Sequence, residues 1–213
     1  MTSSKGDHLE TEQKYDADAG FVLPKLGSVP ELGGRRASAP RRIFLSATYF
    51  DTEDQRLLRH KVTLRRRVGG DDEGWHLKLP KGKDTRQELH APLDEGNTGT
   101  APARLAAQVE EITAGEHLRP IAILDTERTV VELAGPAGDT LVEVADDLVT
   151  AVRFGETDSQ PMRWREIEVE VISPGAEATA LLNAVGKVLR EAGARPSASG
   201  SKLARVMGTG PQS

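Results

Sequence analysis

Apolar and polar residues alternate with a period of two along most of this chain, the spacing of half-buried strands rather than helices. That spacing predicts strands over residues 8–16, Arg42–Phe50, 62–68, 75–80, Arg86–Pro92, Ile121–Leu133, Thr140–Val149 and Arg163–Ile172. GGDDEG (69–74) and AGPAGD (134–139) are turn clusters between β-formers, so two hairpins are expected. The helical period appears in only a few places. Thr52 caps a predicted short helix over 53–60. Ala101–Thr113 carries Leu105, Val109 and Ile112 on one side. Ala176–Ala192 carries Ala180, Leu181, Ala184, Val188 and Leu189 on one side, and the stretch before residue 208 reads as a short helical turn. Phe21–Leu26 reads as a turn of helix and Gly27–Pro40 as a loop. About eight antiparallel strands with helices outside predict a mainly β fold, a meander or closed barrel. Residues 1–7 are expected to be disordered, 8–207 to form one domain, and 208–213 to be a tail or the start of a linker.

Charge falls on whole strand faces, because residues two apart point the same way. Glu10, Glu12 and Lys14 share a face, as do Arg65 and Arg67, His76 and Lys78, Arg86, Glu88 and His90, and Glu143 and Asp147. Glu166, Glu168 and Glu170 share one opposite Ile167, Val169 and Val171. On any single strand this describes a sheet with one wet face. Three glutamates in register repel one another unless cations compensate, and here several strands carry such sets. Turned inward around a closed barrel, the basic faces meet the acidic ones across a polar lumen. The bases suit a polyanion and the carboxylates suit hard divalent cations, which together describe a metal–polyphosphate site.

Composition narrows the classes. The 213 residues include no cysteine, which excludes disulfides, Cys-ligated zinc, iron–sulfur clusters and thiol nucleophiles. A net charge of −5 argues against general nucleic-acid coating, so no DNA partner is expected. No apolar run approaches a membrane span and no secretory signal is readable, so a cytoplasmic protein without a membrane partner is expected. Arginine outnumbers lysine nineteen to nine, and arginine is the residue suited to bidentate phosphate contacts. The five histidines show no metal-ligand spacing. His76 is placed on the lumen, His60 and His117 on the surface, and Trp75 and Trp164 against the outer helices.

Glu10-Thr-Glu-Gln-Lys14 resembles the E-x-E-x-K signature that opens the CYTH family, the triphosphate tunnel metalloenzymes. YFDT (49–52), TLRRR (63–67), GWHLKLP (74–80), RQEL (86–89), ERT (127–129), the aspartate pair 146–147, EIEVEV (166–171) and SKLARV (201–206) follow in the family's order. The resemblance implies a closed eight-stranded barrel forming a tunnel, and a triphosphate bound there with Mg²⁺ or Mn²⁺. It implies metal-side carboxylates at Glu10 and Glu12, and at Glu168 and Glu170, these four serving catalysis. Glu88, Glu143 and Asp147 join the metal set; parity with Glu143 turns Asp147 rather than Asp146 inward. Lys14, Arg65, Arg67, Lys78, Arg128 and Lys202 become triphosphate contacts. The function implied is hydrolysis of inorganic triphosphate to pyrophosphate and phosphate. Alternatives within the family are thiamine, nucleoside or RNA triphosphatases and a class IV-type adenylate cyclase. A non-catalytic polyphosphate-binding module is the alternative from another class, and a linked CHAD domain is the partner implied for a longer parent protein.

Overall fold

The computed structural model describes residues 11–33, 35–81, 86–155 and 160–208. Its frame is one antiparallel sheet of nine strands. In chain order these are β1 (Glu12–Ala17), β2 (Arg41–Asp51), β3 (Thr63–Val68), β4 (Gly74–Pro80), β5 (Arg86–Ala91), β6 (Arg119–Ala134), β7 (Thr140–Arg153), β8 (Met162–Val171) and β9 (Arg195–Pro196). They lie side by side in the order β5-β4-β3-β2-β6-β7-β8-β1-β9. The helices are α1 (Arg56–Arg59), α2 (Ala103–Ala107), α3 (Glu110–Thr113), α4 (Ala176–Glu191) and α5 (Lys202–Met207).

The expected closed eight-stranded barrel is not what forms: the sheet is open between β5 and β9. The dipeptide Arg195–Pro196 pairs with Tyr15 and Asp16, and Ser197 N–H donates to the Lys14 carbonyl, so the middle of the β1 edge is already taken. A two-residue strand has no alternation to read, which is why the pattern missed it. The sheet nevertheless curls. Glu168 on β8 acts electrostatically on Arg65 of β3, although four strand spacings of a flat sheet would separate them by roughly 19 Å.

Two apolar clusters cover the outer face. Tyr15, Val131, Val142, Val144, Ile167 and Val169 pack under α4, through Leu181, Leu182, Val185 and Leu189. Phe50, Leu64, Trp75, Leu77 and Ala91 pack under Leu57 of α1, Leu105 of α2 and Val109. The third cluster lies on the inner face. Ala47, Tyr49, Leu124, Val149 and Ala151 meet Leu203 and Val206 of α5, which plugs one end of the concavity.

Local chemistry sets the helix ends. The expected helix over 53–60 shrinks to Arg56–Arg59. Thr52 Oγ1 does accept from Arg56 N–H at 3.0 Å, but the buried Asp51 carboxylate takes three backbone N–H groups, from Thr52, Leu57 and Leu58. The 101–113 segment splits into α2 and α3 around Val109, whose φ of −119° leaves the helical range. Phe21–Lys25 is not helical; the turns fall later, as 3₁₀ segments at Leu26–Ser28 and Pro30–Leu32. No helix among the described residues is long and apolar enough to cross a membrane.

Candidate functional site: a charged concave face

Register across β1, β8, β7 and β6 stacks the acidic residues into rows. Glu12, Glu170, Glu143 and Glu132 stand directly opposite one another in a single row near one end. Like charges so placed repel, and burial together with Glu132 raises the pKa of Glu143. The next row holds Lys14 and Glu168, and the one after it Asp16, Glu166, Asp147 and Arg128.

The last two rows carry the densest network of ion pairs. The Arg128 guanidinium grips Asp147 bidentately, Nε to Oδ1 at 2.8 Å and Nη2 to Oδ2 at 2.7 Å, and reaches Glu168 Oε2 at 2.6 Å. Lys202 sits among three carboxylates, its Nζ 2.9 Å from Asp147 Oδ2, 2.7 Å from Glu166 Oε1 and 2.8 Å from Glu168 Oε1. Ser201 caps α5 by accepting the Ala204 N–H, so the lysine projects from a fixed first turn. Lys14 Nζ lies 3.1 Å from Glu168 Oε1 and 3.3 Å from Glu12 Oε1. Burial opposes ionisation of Glu168, but Lys14, Lys202 and Arg128 outweigh it and hold its pKa well below the ordinary value. Burial likewise opposes the charge on Lys202, and Glu168, Asp147 and Glu166 overcome it, so its pKa is raised.

The opposite wall is basic. Arg65 on β3 is opposite Tyr49 of β2, whose hydroxyl lies 3.5 Å from Nη1. The Arg65 Nε is buried without a hydrogen-bond partner. Arg67 holds the Asp72 backbone carbonyl through Nε and Nη2 and the Asp72 carboxylate through Nη2. Burial, then the neighbouring charge of Arg65, pushes its pKa down to about 10. Lys78 on β4 faces Glu88 of β5, Nζ to Oε2 at 3.6 Å.

The concave face thus gathers Glu12, Lys14, Arg65, Arg67, Lys78, Glu88, Arg128, Glu143, Asp147, Glu168, Glu170 and Lys202. Glu10 lies outside the described residues. Asp146 turns to the outer face and pairs bidentately with Arg165. Of the cations read as phosphate contacts, Lys14, Arg67, Lys78, Arg128 and Lys202 are each paired with carboxylates here. Trp164 faces inward, not toward the outer helices, and donates its Nε1–H to Glu166 Oε2 at 2.5 Å while Arg205 stacks on its ring. Glu166, which the E-x-E-x-E alternation puts on one face with Glu168 and Glu170, joins Asp147 and Glu168 in the carboxylate cluster although the resemblance implies no metal role for it. Asp72, in the β3–β4 turn, gave no sequence signal at all.

The carboxylates of Asp147, Glu166 and Glu168 offer oxygens all within 4.8 Å of one another. Lys202 shows that this space accommodates a single positive centre, and an all-oxygen set fits a hard divalent cation.

A family model for the CYTH domain matches residues 9–206. The chain belongs to the CYTH family. Two uncharacterised proteins of Mycobacterium tuberculosis, from strains CDC 1551 and H37Rv, are each 40% identical to it over 210 residues. The match takes in 94% of this chain but 40% of each relative, so the chain spans about two fifths of their length. A protein from Bacillus halodurans solved as a candidate adenylate cyclase shares the CYTH fold at TM-score 0.58 and 17% identity, covering 94% of this chain and 98% of that one. The Hippeastrum protein HpAC1, a candidate adenylyl cyclase described as having a dominant triphosphatase activity, aligns at TM-score 0.57 and 16% identity over 96% and 98% of the two chains. The CYTH family includes triphosphatases and adenylate cyclases, which makes an enzyme the class to test.

Proposed function

We propose that this protein hydrolyses inorganic triphosphate to pyrophosphate and phosphate, with Mg²⁺ or Mn²⁺ as cofactor. The observation that carries the reading is Arg65. Its buried Nε lacks a hydrogen-bond partner, and it faces the wall that holds Glu168. A buried guanidinium with an unused donor suits an oxyanion. Arg67 and Lys78 extend the basic strip, and Lys14 and Arg128 stand across from it. A chain of three phosphates can engage both walls, whereas pyrophosphate is too short to use all of these cations.

Asp147, Glu166 and Glu168 would hold the divalent cation, with the row of Glu12, Glu143 and Glu170 beside them. Bound there, the cation would supply charge to the phosphate oxygens and make a nearby water a stronger nucleophile. Arg65 and Arg67 bind and orient the phosphates, and Arg128 holds Asp147 and Glu168 in place. Lys202 neutralises Asp147, Glu166 and Glu168 here; with a divalent cation among those carboxylates, its ammonium would be free for a phosphate oxygen. Phosphoryl transfer needs mainly positioning and charge stabilisation, and this face provides both. The triphosphatase activity described for HpAC1 supports hydrolysis over cyclisation. A second reading, binding of polyphosphate without turnover, draws on the same Lys202 contacts, since they already satisfy the carboxylates.

The deciding experiment is a phosphate-release screen of inorganic triphosphate, thiamine triphosphate, ATP and pyrophosphate against Mg²⁺ and Mn²⁺. Triphosphate turnover above pyrophosphate turnover, abolished by EDTA, is expected. Saturable triphosphate binding with no phosphate released would establish the binding module, and cyclic AMP as the main product from ATP would establish a cyclase.

A further inference from the structure

A second cluster of titratable groups lies toward the β5 edge, away from Lys202 and its carboxylates. His76 of β4 is fully buried, directly opposite His90 of β5, and the two rings meet edge-on with centroids 4.4 Å apart. Asp72 of the β3–β4 turn closes over them. Its Oδ2 lies 3.9 Å from His76 Nδ1 and its Oδ1 lies 3.8 Å from His90 Nδ1. Glu88 approaches from the other side, Oε1 at 3.0 Å from His76 Nδ1 and Oε2 at 3.8 Å from His90 Nε2.

The hydrogen bonds dictate where the protons are. His76 Nε2 is 3.1 Å from the Asp72 backbone carbonyl, which can only accept, so Nε2 carries the proton. A neutral imidazole then points the Nδ1 lone pair at two carboxylates. Three electron-rich groups facing one another need a positive centre between them, either a proton or a metal ion. A ring nitrogen aimed at the site while its partner N–H is held by a carbonyl is the arrangement of a metal-ligating histidine.

We propose that Asp72, His76 and His90 form a second metal site, built for Zn²⁺ or a similar first-row divalent ion. The ligands are the Asp72 carboxylate, His76 Nδ1 and His90 Nδ1; these three residues offer atoms all within 4.8 Å of one another. Glu88 Oε1, 3.0 Å from His76 Nδ1, is in reach as a fourth ligand, and Glu88 Oε2 lies 3.8 Å from His90 Nε2. Mixed nitrogen and oxygen donors select a different ion from the all-oxygen carboxylate set. The site ties the β3–β4 turn to β4 and β5, and Asp72 also holds Arg67, so the ion would brace the basic wall. This inference stands whether or not the carboxylate site hydrolyses triphosphate.

The test uses the whole 213-residue chain after EDTA treatment. One equivalent of Zn²⁺ should displace from a chromophoric chelator, and Co²⁺ should give the visible d–d bands of a low-coordinate site with nitrogen ligands. His90→Gln and Asp72→Asn should each weaken Zn²⁺ about tenfold or more, while Glu168→Gln leaves it unchanged. Asp72 lies in a partly exposed turn, so its variant keeps a folded protein for the comparison. Equal Zn²⁺ affinity in wild type and both variants would overturn the proposal. So would absence of tight Zn²⁺ binding together with a His76 ring protonated on both nitrogens at neutral pH by NMR.

Discussion

Lys202 is the side chain whose role the structure changes most. Its ammonium is nearly enclosed and bonded to Asp147, Glu166 and Glu168. Removing one partner from a buried ion network leaves the others uncompensated, at a cost of roughly 3–5 kcal/mol. Lys202→Met should therefore lower stability by about that amount in EDTA, and added Mn²⁺ should restore part of it. Urea unfolding with and without metal measures this; equal stability of variant and wild type in EDTA would show that the carboxylates need no counter-charge. Under the proposed function, Arg67 and Glu170 should separate binding from chemistry. Charge-assisted contacts are worth roughly 1.5–3 kcal/mol, so Arg67→Ala should weaken triphosphate binding and cut kcat/KM about tenfold or more. Glu170→Gln should remove most turnover while leaving the melting curve in place, with partial rescue by raised Mn²⁺. If Glu170 were merely solvated, the change would stay within about 0.5 kcal/mol on any measure.

At the scale of elements, α4 places the β1 face that carries Glu12 and Lys14. Gly186 lets the helix lie close on that strand: a Cβ there would fall 2.2 Å from Tyr15 Oη and 2.5 Å from Gln13 Oε1. The polar side chain of Gln13, on the face turned from the site, is explained by the same contact. It accepts from Tyr15 Oη at 2.6 Å and donates to Asn183 Oδ1 at 3.0 Å. In a free helix Gly186→Ala would gain about 1 kcal/mol of propensity. Here overpacking costs about 1–3 kcal/mol, so the melting temperature should fall, and a rise would show that α4 can lift without loss. The α5 plug works from the opposite end. Leu203 and Val206 anchor it on the inner apolar cluster, and the Ser201 cap aims Lys202 at the carboxylates.

For the whole molecule, the concave face links stability to pH. Glu168 has its pKa depressed in the fold below its ordinary 4.5, so its contribution is complete above that value and is lost as pH falls through the depressed one. Lys202 has its pKa raised above its ordinary 10.5, so its contribution is complete below that value and is lost as pH rises through the raised one. Unfolding midpoints should hold between these limits, fall below about pH 4.5 and fall again above about pH 10.5. A Glu168→Gln variant should lose much of the acid-side slope. An acid limb of the same slope in variant and wild type would place the responsible carboxylates elsewhere.

Strand positions were legible in the chain because the pleat imposes a period of two, and every long strand lies within a few residues of where alternation put it. The inward parity of the charged residues followed from the same period, which separates Asp147 from Asp146. Alternation says which face a residue takes but not which strand lies beside it. Alternation predicts a closed barrel and does not reveal Arg195–Pro196, which is too short to carry a pattern and pairs with Tyr15 and Asp16 on the edge of β1. The partners of Lys202 lie more than thirty residues away in sequence and are set by how α5 packs into the open end of the curl. Meeting of Asp72, His76 and His90 depends on the fold-back of the β3–β4 turn onto strands whose register is fixed by side-chain packing on the far face. Local pattern therefore decided the elements and their faces, while long-range packing decided which charges meet, because charge pairing depends on three-dimensional distance rather than on position along the chain.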